Sequence, residues 1–230
     1  MSRFTPPRFR FESLVKSFGN ITVLNGLTVE IPLTGITFVV GKSGSGKSVL
    51  CRLSVGLLLP DSGKILLGEE RIDGRPEREL QKIRAQVPYI VQSSGLIDWL
   101  TLEENIELAN RDLKDPHAVN AAIENVGLND LRARKPTEVS PAVRKRAAIA
   151  RALVLNPTFL LLDEPTTGMD RAAADQVNAT IANLRSAGLG AMVVSHDYRA
   201  LEALADSVVE VRQGRTGYTG NKEGFLASIR

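Results

Sequence analysis

The sequence predicts an α/β fold on a parallel sheet, with a helical segment set between two β-rich parts. Three observations carry that prediction. After residue 155, apolar strand patterns alternate with helical ones: 159–163, then a helix near 171–187, then a strand at 191–196. Across 101–155 the strand signals vanish and apolar residues fall at helical spacing. A glycine-rich turn at 41–48 sits between an apolar strand and a helix.

Composition bounds the rest. The chain has 230 residues, 43% hydrophobic and 24% charged, which is ordinary globular composition and enough for a core without disulfides or structural metal. A net charge of +3 does not suggest a dedicated nucleic-acid binder. One cysteine, Cys51, excludes an intramolecular disulfide and fits a reducing compartment. Two histidines and one cysteine make a zinc site a poor expectation. The N-terminal stretch has basic residues but no continuous apolar run, unlike a signal peptide. No apolar run approaches the ~18 residues that would span a membrane.

In chain order, residues 8–15 alternate and read as a strand. Residues 21–31 are β-rich, with Asn25-Gly26 as a candidate hairpin turn. GITFVVG (35–41) is a buried strand, and a helix follows from about Lys47 to Gly56. Pro60 to Gly63 is a turn that leads into the strand KILL. VPYIV (87–91) is a further buried strand, and SVVEV (207–211) is the last.

The sharpest chemical signal is Gly41-Lys42-Ser43-Gly44-Ser45-Gly46-Lys47-Ser48, which fits G-x-x-x-x-G-K-[ST]. Its glycines let successive backbone N–H groups face phosphate oxygens, and the following helix N-terminus adds partial positive charge. Lys47 is placed to reach β- and γ-phosphates, and the Ser48 hydroxyl to ligate Mg²⁺. The second signal is FLLLDE. An apolar strand ending in Asp163 suits the Mg²⁺ shell, and Glu164 at the strand's C-terminal lip can polarise an attacking water. His196 ends the next strand, the expected sheet neighbour of 159–163, where it could bond a γ-phosphate. A strand-end histidine is more often structural, but its place beside the Asp163-Glu164 strand makes a catalytic role the expectation here. Gln92 ends VPYIV, and its amide oxygen could complete the Mg²⁺ shell. By itself it reads as a surface residue.

Taken in order, the 41–48 loop, Gln92, FLLLDEP, Thr167-Gly168-Met169-Asp170 and Ser195-His196 resemble the motif series of an ABC-transporter ATPase subunit over nearly the whole chain. The resemblance implies a P-loop NTPase (RecA-like) core plus an antiparallel β-subdomain over 1–92 and 158–230, with a helical subdomain over 93–157. It implies ATP with Mg²⁺, and a homodimer or heterodimer of ATPase subunits with nucleotide between them. It implies integral membrane permease partners, no nucleic acid, and a peripheral place on the cytoplasmic face of the inner membrane. Phe18 takes the position that stacks on adenine, and Ser140 and Asp170 act in trans on the partner's nucleotide. Where the family has L-S-G-G-Q, this chain has Val139-Ser140-Pro141-Ala142-Val143. Ser140 can still cap the helix, Pro141 removes one N–H, Ala142 adds a Cβ, and Val143 removes an amide; tolerated drift and a weakened half-site both account for this.

The Arg144–Arg146 and Arg132–Lys135 clusters read as solvated helix faces. Trp99 is either core packing or, as the resemblance implies for the stretch after Gln92, an anchor for a membrane subunit. QSSGLID (92–98) and VRKRAAIARAL (143–153) look most like the Mla/Mce lipid-transport group, which implies phospholipid as a possible substrate. Two other readings stand beside the transporter: a soluble ABC-type assembly ATPase such as an iron–sulfur scaffold factor, and an ATP-gated structural subunit of low turnover.

Overall fold

The computed structural model describes residues 7–110 and 115–229. Strands β1 (Arg8–Phe18) and β2 (Ile21–Pro32) form an antiparallel hairpin, joined at Gly19-Asn20. The hairpin turn expected at Asn25-Gly26 is not there. Leu14 pairs with Leu27 and Val15 with Asn25, so Gly26 is the extra residue of a bulge inside β2. An Asn-Gly pair signals backbone that bends sharply, and a bulge uses that as well as a turn does. With β4 (Ser62–Leu67) and β5 (Glu70–Arg71) these strands make a four-stranded sheet in the order β2-β1-β4-β5.

The second sheet has the order β10-β9-β3-β8-β7-β6, built from β3 (Ile36–Val40), β6 (Tyr89–Ile90), β7 (Phe159–Asp163), β8 (Gly190–Val194), β9 (Ser207–Arg212) and β10 (Arg215–Asn221). All neighbouring pairs are parallel except β9 with β10. The strand expected over 87–91 shrinks to two residues: it lies at the sheet edge, and Pro88 has no N–H to give.

Strands β3, β7 and β8 are buried on both faces and divide their side chains between two cores. Phe159, Leu161, Met192 and Val194 point toward α1 (Lys47–Ser54), α2 (Glu77–Gln86) and the antiparallel sheet, meeting Phe9, Leu50 and Leu80. Leu160, Leu162 and Val193 point toward α3 (Leu102–Glu107), α4 (Pro116–Asn125), α5 (Pro141–Leu153) and α6 (Arg171–Ser186), meeting Ile106, Ile123, Ile149 and Ile181. Each such side chain contributes about 1.5–3 kcal/mol by leaving water. The sheet is thereby fixed from both sides, and its strand ends with it. Helices α7 (Tyr198–Leu204) and α8 (Lys222–Ser228) complete the fold. The sequence reading did not assign α2, β10 or α8, whose short amphipathic patterns are broken by charged residues.

Helix α3 starts on a capping box: Thr101 Oγ1 accepts from the Glu104 N–H at 3.1 Å, and Glu104 Oε2 accepts from the Thr101 N–H at 2.7 Å. Among the described residues, no helix is long and apolar enough to cross a membrane.

Candidate functional site

The parallel strands end at one edge, where open α/β sheets bind their ligands. Strand β3 runs into the 41–46 turn, and α1 begins at Lys47. A Cβ at Gly41 would lie 2.3 Å from the Val211 carbonyl oxygen, and one at Gly46 would lie 2.5 Å from Leu24 Cδ2. Glycine alone lets the turn pack this closely. Lys47 is 7% exposed, and its ammonium donates to the carbonyls of Gly41 (2.9 Å) and Lys42 (3.0 Å). The cation is held inside the loop it would serve.

A cleft of about 850 Å³ opens in front of this turn. It brings together Phe18, Gly41, Lys42, Ser43, Gly44, Gly46, Lys47, Ser48, Gln92, Glu164 and His196. Ser45 does not line it; its hydroxyl is buried without a partner. Asp163 lies beneath the surface, 4% exposed. Asp170 lines an adjoining cleft of about 680 Å³, which shares Thr167 and His196 with the first. Ser140 lines neither. Apart from Ser45 and the buried Asp163, the residues expected to act on this chain's own nucleotide share a cavity, and those expected to act in trans lie outside it. Arg52 and Tyr198 also line the main cleft, without any motif to mark them.

Both oxygens of Asp163 are engaged. The Ser48 hydroxyl donates to Oδ1 at 2.9 Å, and the Tyr89 hydroxyl donates to Oδ2 at 2.6 Å. Burial, followed by that bond, holds the Tyr89 phenol well above its ordinary pKa, so it stays a donor. Burial and the charge of Asp163 likewise raise the Cys51 thiol and keep it unreactive. Glu164 follows at φ +45, left-handed backbone that costs a non-glycine residue about 1–3 kcal/mol. Its N–H bonds the Val194 carbonyl at 2.8 Å. Its Oε2 accepts from the Thr167 hydroxyl at 2.8 Å and lies 2.8 Å from His196 Nδ1. The glutamate is thus fixed from β8, from the loop before α6 and from the histidine at once.

The signature region departs from expectation. Ser140 does cap α5, accepting from the Val143 N–H at 3.4 Å, and Pro141 takes the first helical position. Ala142 and Val143, however, are 1% and 7% exposed and pack in the helical core. Their side chains face inward, so of these three substituted positions only Pro141 stays on the surface, beside the retained Ser140. The Arg144–Arg146 run is not a solvated face either, whereas Arg134 and Lys135 of the second cluster are exposed. Lys145 is 2% exposed, and its ammonium donates to the carbonyls of Val91 and Gln92, both at 2.8 Å. Burial lowers its pKa to about 8, although Asp163 opposes this. Arg144 donates to the carbonyls of Pro136 and Val139, Arg146 to that of Val126, and Arg132 pairs with Glu103. The Arg144 and Arg146 heads thus close backbone ends, while that of Arg132 meets a carboxylate.

Trp99 is 76% exposed, which removes core packing as its role. Its loop is nevertheless anchored. The buried Asn105 amide accepts from the Ile97 N–H at 2.7 Å and donates to the carbonyls of Ile97 (3.0 Å) and Thr101 (2.9 Å). Arg151 donates to the carbonyls of Ser94 and Gly95.

A parallel sheet ending in this loop, with a carboxylate at the end of β7 one strand beyond β8, defines a P-loop NTPase fold. Known structures share it. CbiO1 from Clostridium perfringens, part of the ABC transporter complex CbiONQ, superposes with a TM-score of 0.88 at 25% identity, covering 98% of this chain and 92% of that one. A bacterial Atm1-family ABC exporter with ATP bound gives 0.84 at 27% identity, covering 98% of this chain and 41% of that one. Residues 24–167 match the ABC transporter family, and the chain belongs to it. Among its relatives, the methionine import ATP-binding protein MetN of Corynebacterium diphtheriae is 35% identical over 90% of this chain. The Fe(3+) ions import ATP-binding protein FbpC of Brucella melitensis is 33% identical over 96%. The chain spans 64% and 63% of those two proteins' lengths. It spans 94% of the octopine permease ATP-binding protein P of Rhizobium meliloti, which is 31% identical over all of this chain.

Proposed function

We propose that this chain is the ATP-hydrolysing subunit of an ABC transporter, seated at the cytoplasmic face of the inner membrane against separate integral permease subunits. The observation that carries the proposal is the single cleft that gathers Lys47, Ser48, Gln92, Glu164 and His196. The 41–46 turn and the α1 N-terminus would receive the phosphates, with Phe18 against the adenine. Lys47 exchanges its two carbonyl partners for β- and γ-phosphate oxygens.

Ser48, Gln92 and Asp163 offer hard oxygen donors, which fit Mg²⁺. Among the described residues there is no cluster of three or more His, Cys, Asp or Glu. That suits an ion carried mainly by phosphate and water oxygens rather than by a protein cage. When bound, it neutralises charge on the β- and γ-oxygens. Glu164 orients a water and takes its proton as the water oxygen bonds to the γ-phosphorus. The bond to the bridging oxygen breaks, and ADP and phosphate leave. His196 holds Glu164 Oε2 and faces the γ-phosphate.

A second ATPase subunit, identical or not, completes each site through Ser140 and Asp170. Trp99, projecting from its anchored loop, is the contact we assign to the permease. The substrate class we propose is phospholipid, on the segments 92–98 and 143–153. The relatives above are named for methionine, ferric ion and octopine.

The test is phosphate release by the purified chain with its permease, compared with Glu164→Gln. The substitution should keep ATP affinity and slow turnover about 10²–10⁴-fold. Unchanged hydrolysis removes Glu164 from the mechanism. Pro141 favours one alternative, the low-turnover ATP-gated subunit; that reading wins if the parent itself releases phosphate no faster than ATP without protein.

A further inference from the structure

We propose that Tyr89 is a positioning residue for the metal-holding carboxylate, fixing the Asp163 oxygen that Ser48 does not reach. This rests on the ATPase reading above. Asp163 ends β7 and is buried, and a buried carboxylate needs a donor on each oxygen to offset its lost hydration. Ser48 serves Oδ1; among the described residues Tyr89 is the donor to Oδ2.

The register explains how it gets there. Strand β6 runs parallel to β7 with Tyr89 opposite Leu161, two residues before Asp163, and the phenol ring has the length to reach the next inward position. Strand β6 ends at Ile90, and two residues further on Gln92 lines the nucleotide cleft. One short edge segment therefore carries a candidate metal ligand and the support of another.

The geometry matters because Mg²⁺ tolerates little departure from octahedral ligation. A carboxylate held at one oxygen can swing about its Cβ–Cγ bond. Held at both, it presents a fixed lone-pair direction toward the Ser48 side. Removing such outer partners typically weakens metal binding about 10–100-fold.

Tyr89→Phe isolates the effect, since it keeps the ring and deletes the hydroxyl. In the full chain, Mn²⁺ is titrated by electron paramagnetic resonance with ATP present, and ATP affinity is measured separately in EDTA. The expected result is an Mn²⁺ half-saturation raised about tenfold, with ATP affinity in EDTA unchanged and turnover recovering at high Mg²⁺. Equal Mn²⁺ affinity in parent and variant overturns the proposal and leaves the ATPase reading intact. So does a lower melting temperature in EDTA with Mn²⁺ affinity per folded protein unchanged, since that marks a packing role. A parent chain that binds no Mn²⁺ with ATP overturns the ATPase reading and this proposal together.

Discussion

Two loops of this molecule bring a serine to the N-terminus of a helix, and they are built in opposite ways. At 41–48 the turn is glycine-rich, backbone approaches backbone, and the lysine folds onto loop carbonyls. At 139–143 the serine is followed by Pro141, and the next two side chains, Ala142 and Val143, are sunk in the helical core. Apart from Ser45, whose N–H bonds the Lys42 carbonyl at 3.1 Å, the first loop leaves its N–H groups open to a ligand. The second spends the same positions on holding a helix in place. A helix N-terminus attracts anions in both cases, but the number of free N–H groups sets how firmly. In the proposed dimer, an ATP between one subunit's glycine-rich loop and its partner's 139–143 loop would therefore be held unequally by the two.

The largest effect expected from probing that contrast is at Lys47. Lys47→Ala removes the buried ammonium from the glycine-rich loop. At about 1.5–3 kcal/mol per bond to a charged donor, two lost phosphate contacts should weaken ATP binding at least ~100-fold by calorimetry. Undiminished affinity would mean that the loop does not bind phosphate.

The other loop should respond to smaller changes, and in opposite directions. Pro141 is exposed, so Pro141→Gly restores an N–H on the surface and should raise ATP-dependent dimerisation about tenfold, the worth of one such bond. Val143→Gln puts an amide into the helical core and should cost about 1–3 kcal/mol of folding stability without aiding dimerisation. If Val143→Gln promotes the dimer and Pro141→Gly does not, the division of this loop into one outward and two inward positions is wrong.

Trp99→Ala should be nearly silent in the isolated chain. An exposed side chain away from packing changes stability by within ~0.5 kcal/mol, so melting and ATP affinity should hold while co-purification of the permease falls. A melting temperature lower by many degrees would return Trp99 to a packing role.

What the sequence made legible was contiguous chemistry. The 41–48 turn, the strand ending in Asp163-Glu164 and the strand before His196 each carry their meaning within a few residues. Tyr89, Lys145 and Asn105 were not legible. Tyr89 acts on a carboxylate 74 positions along the chain, and Lys145 on carbonyls 53 and 54 positions back. Nothing local distinguishes a lysine that will meet carbonyls from one that will meet water, and so the Arg144–Arg146 run looked like a charged surface. Backbone carbonyls leave no mark in the sequence at all, which is also why the anchoring of the Trp99 loop by Asn105 and Arg151 could not be foreseen. The Asn25-Gly26 pair failed differently, since it named a bend correctly and its place in the sheet wrongly.

The Lys145 ammonium can also be seen as a pin between two parts of the chain far apart in sequence. It belongs to the helix that begins at Ser140, and it is fastened to the carbonyls of Val91 and Gln92. Pulling the two apart would strand a charge and two bare oxygens, against about 1.5–3 kcal/mol for each bond broken. Such a fastening ties the start of this helix, and Ser140 with it, to the backbone that carries Gln92.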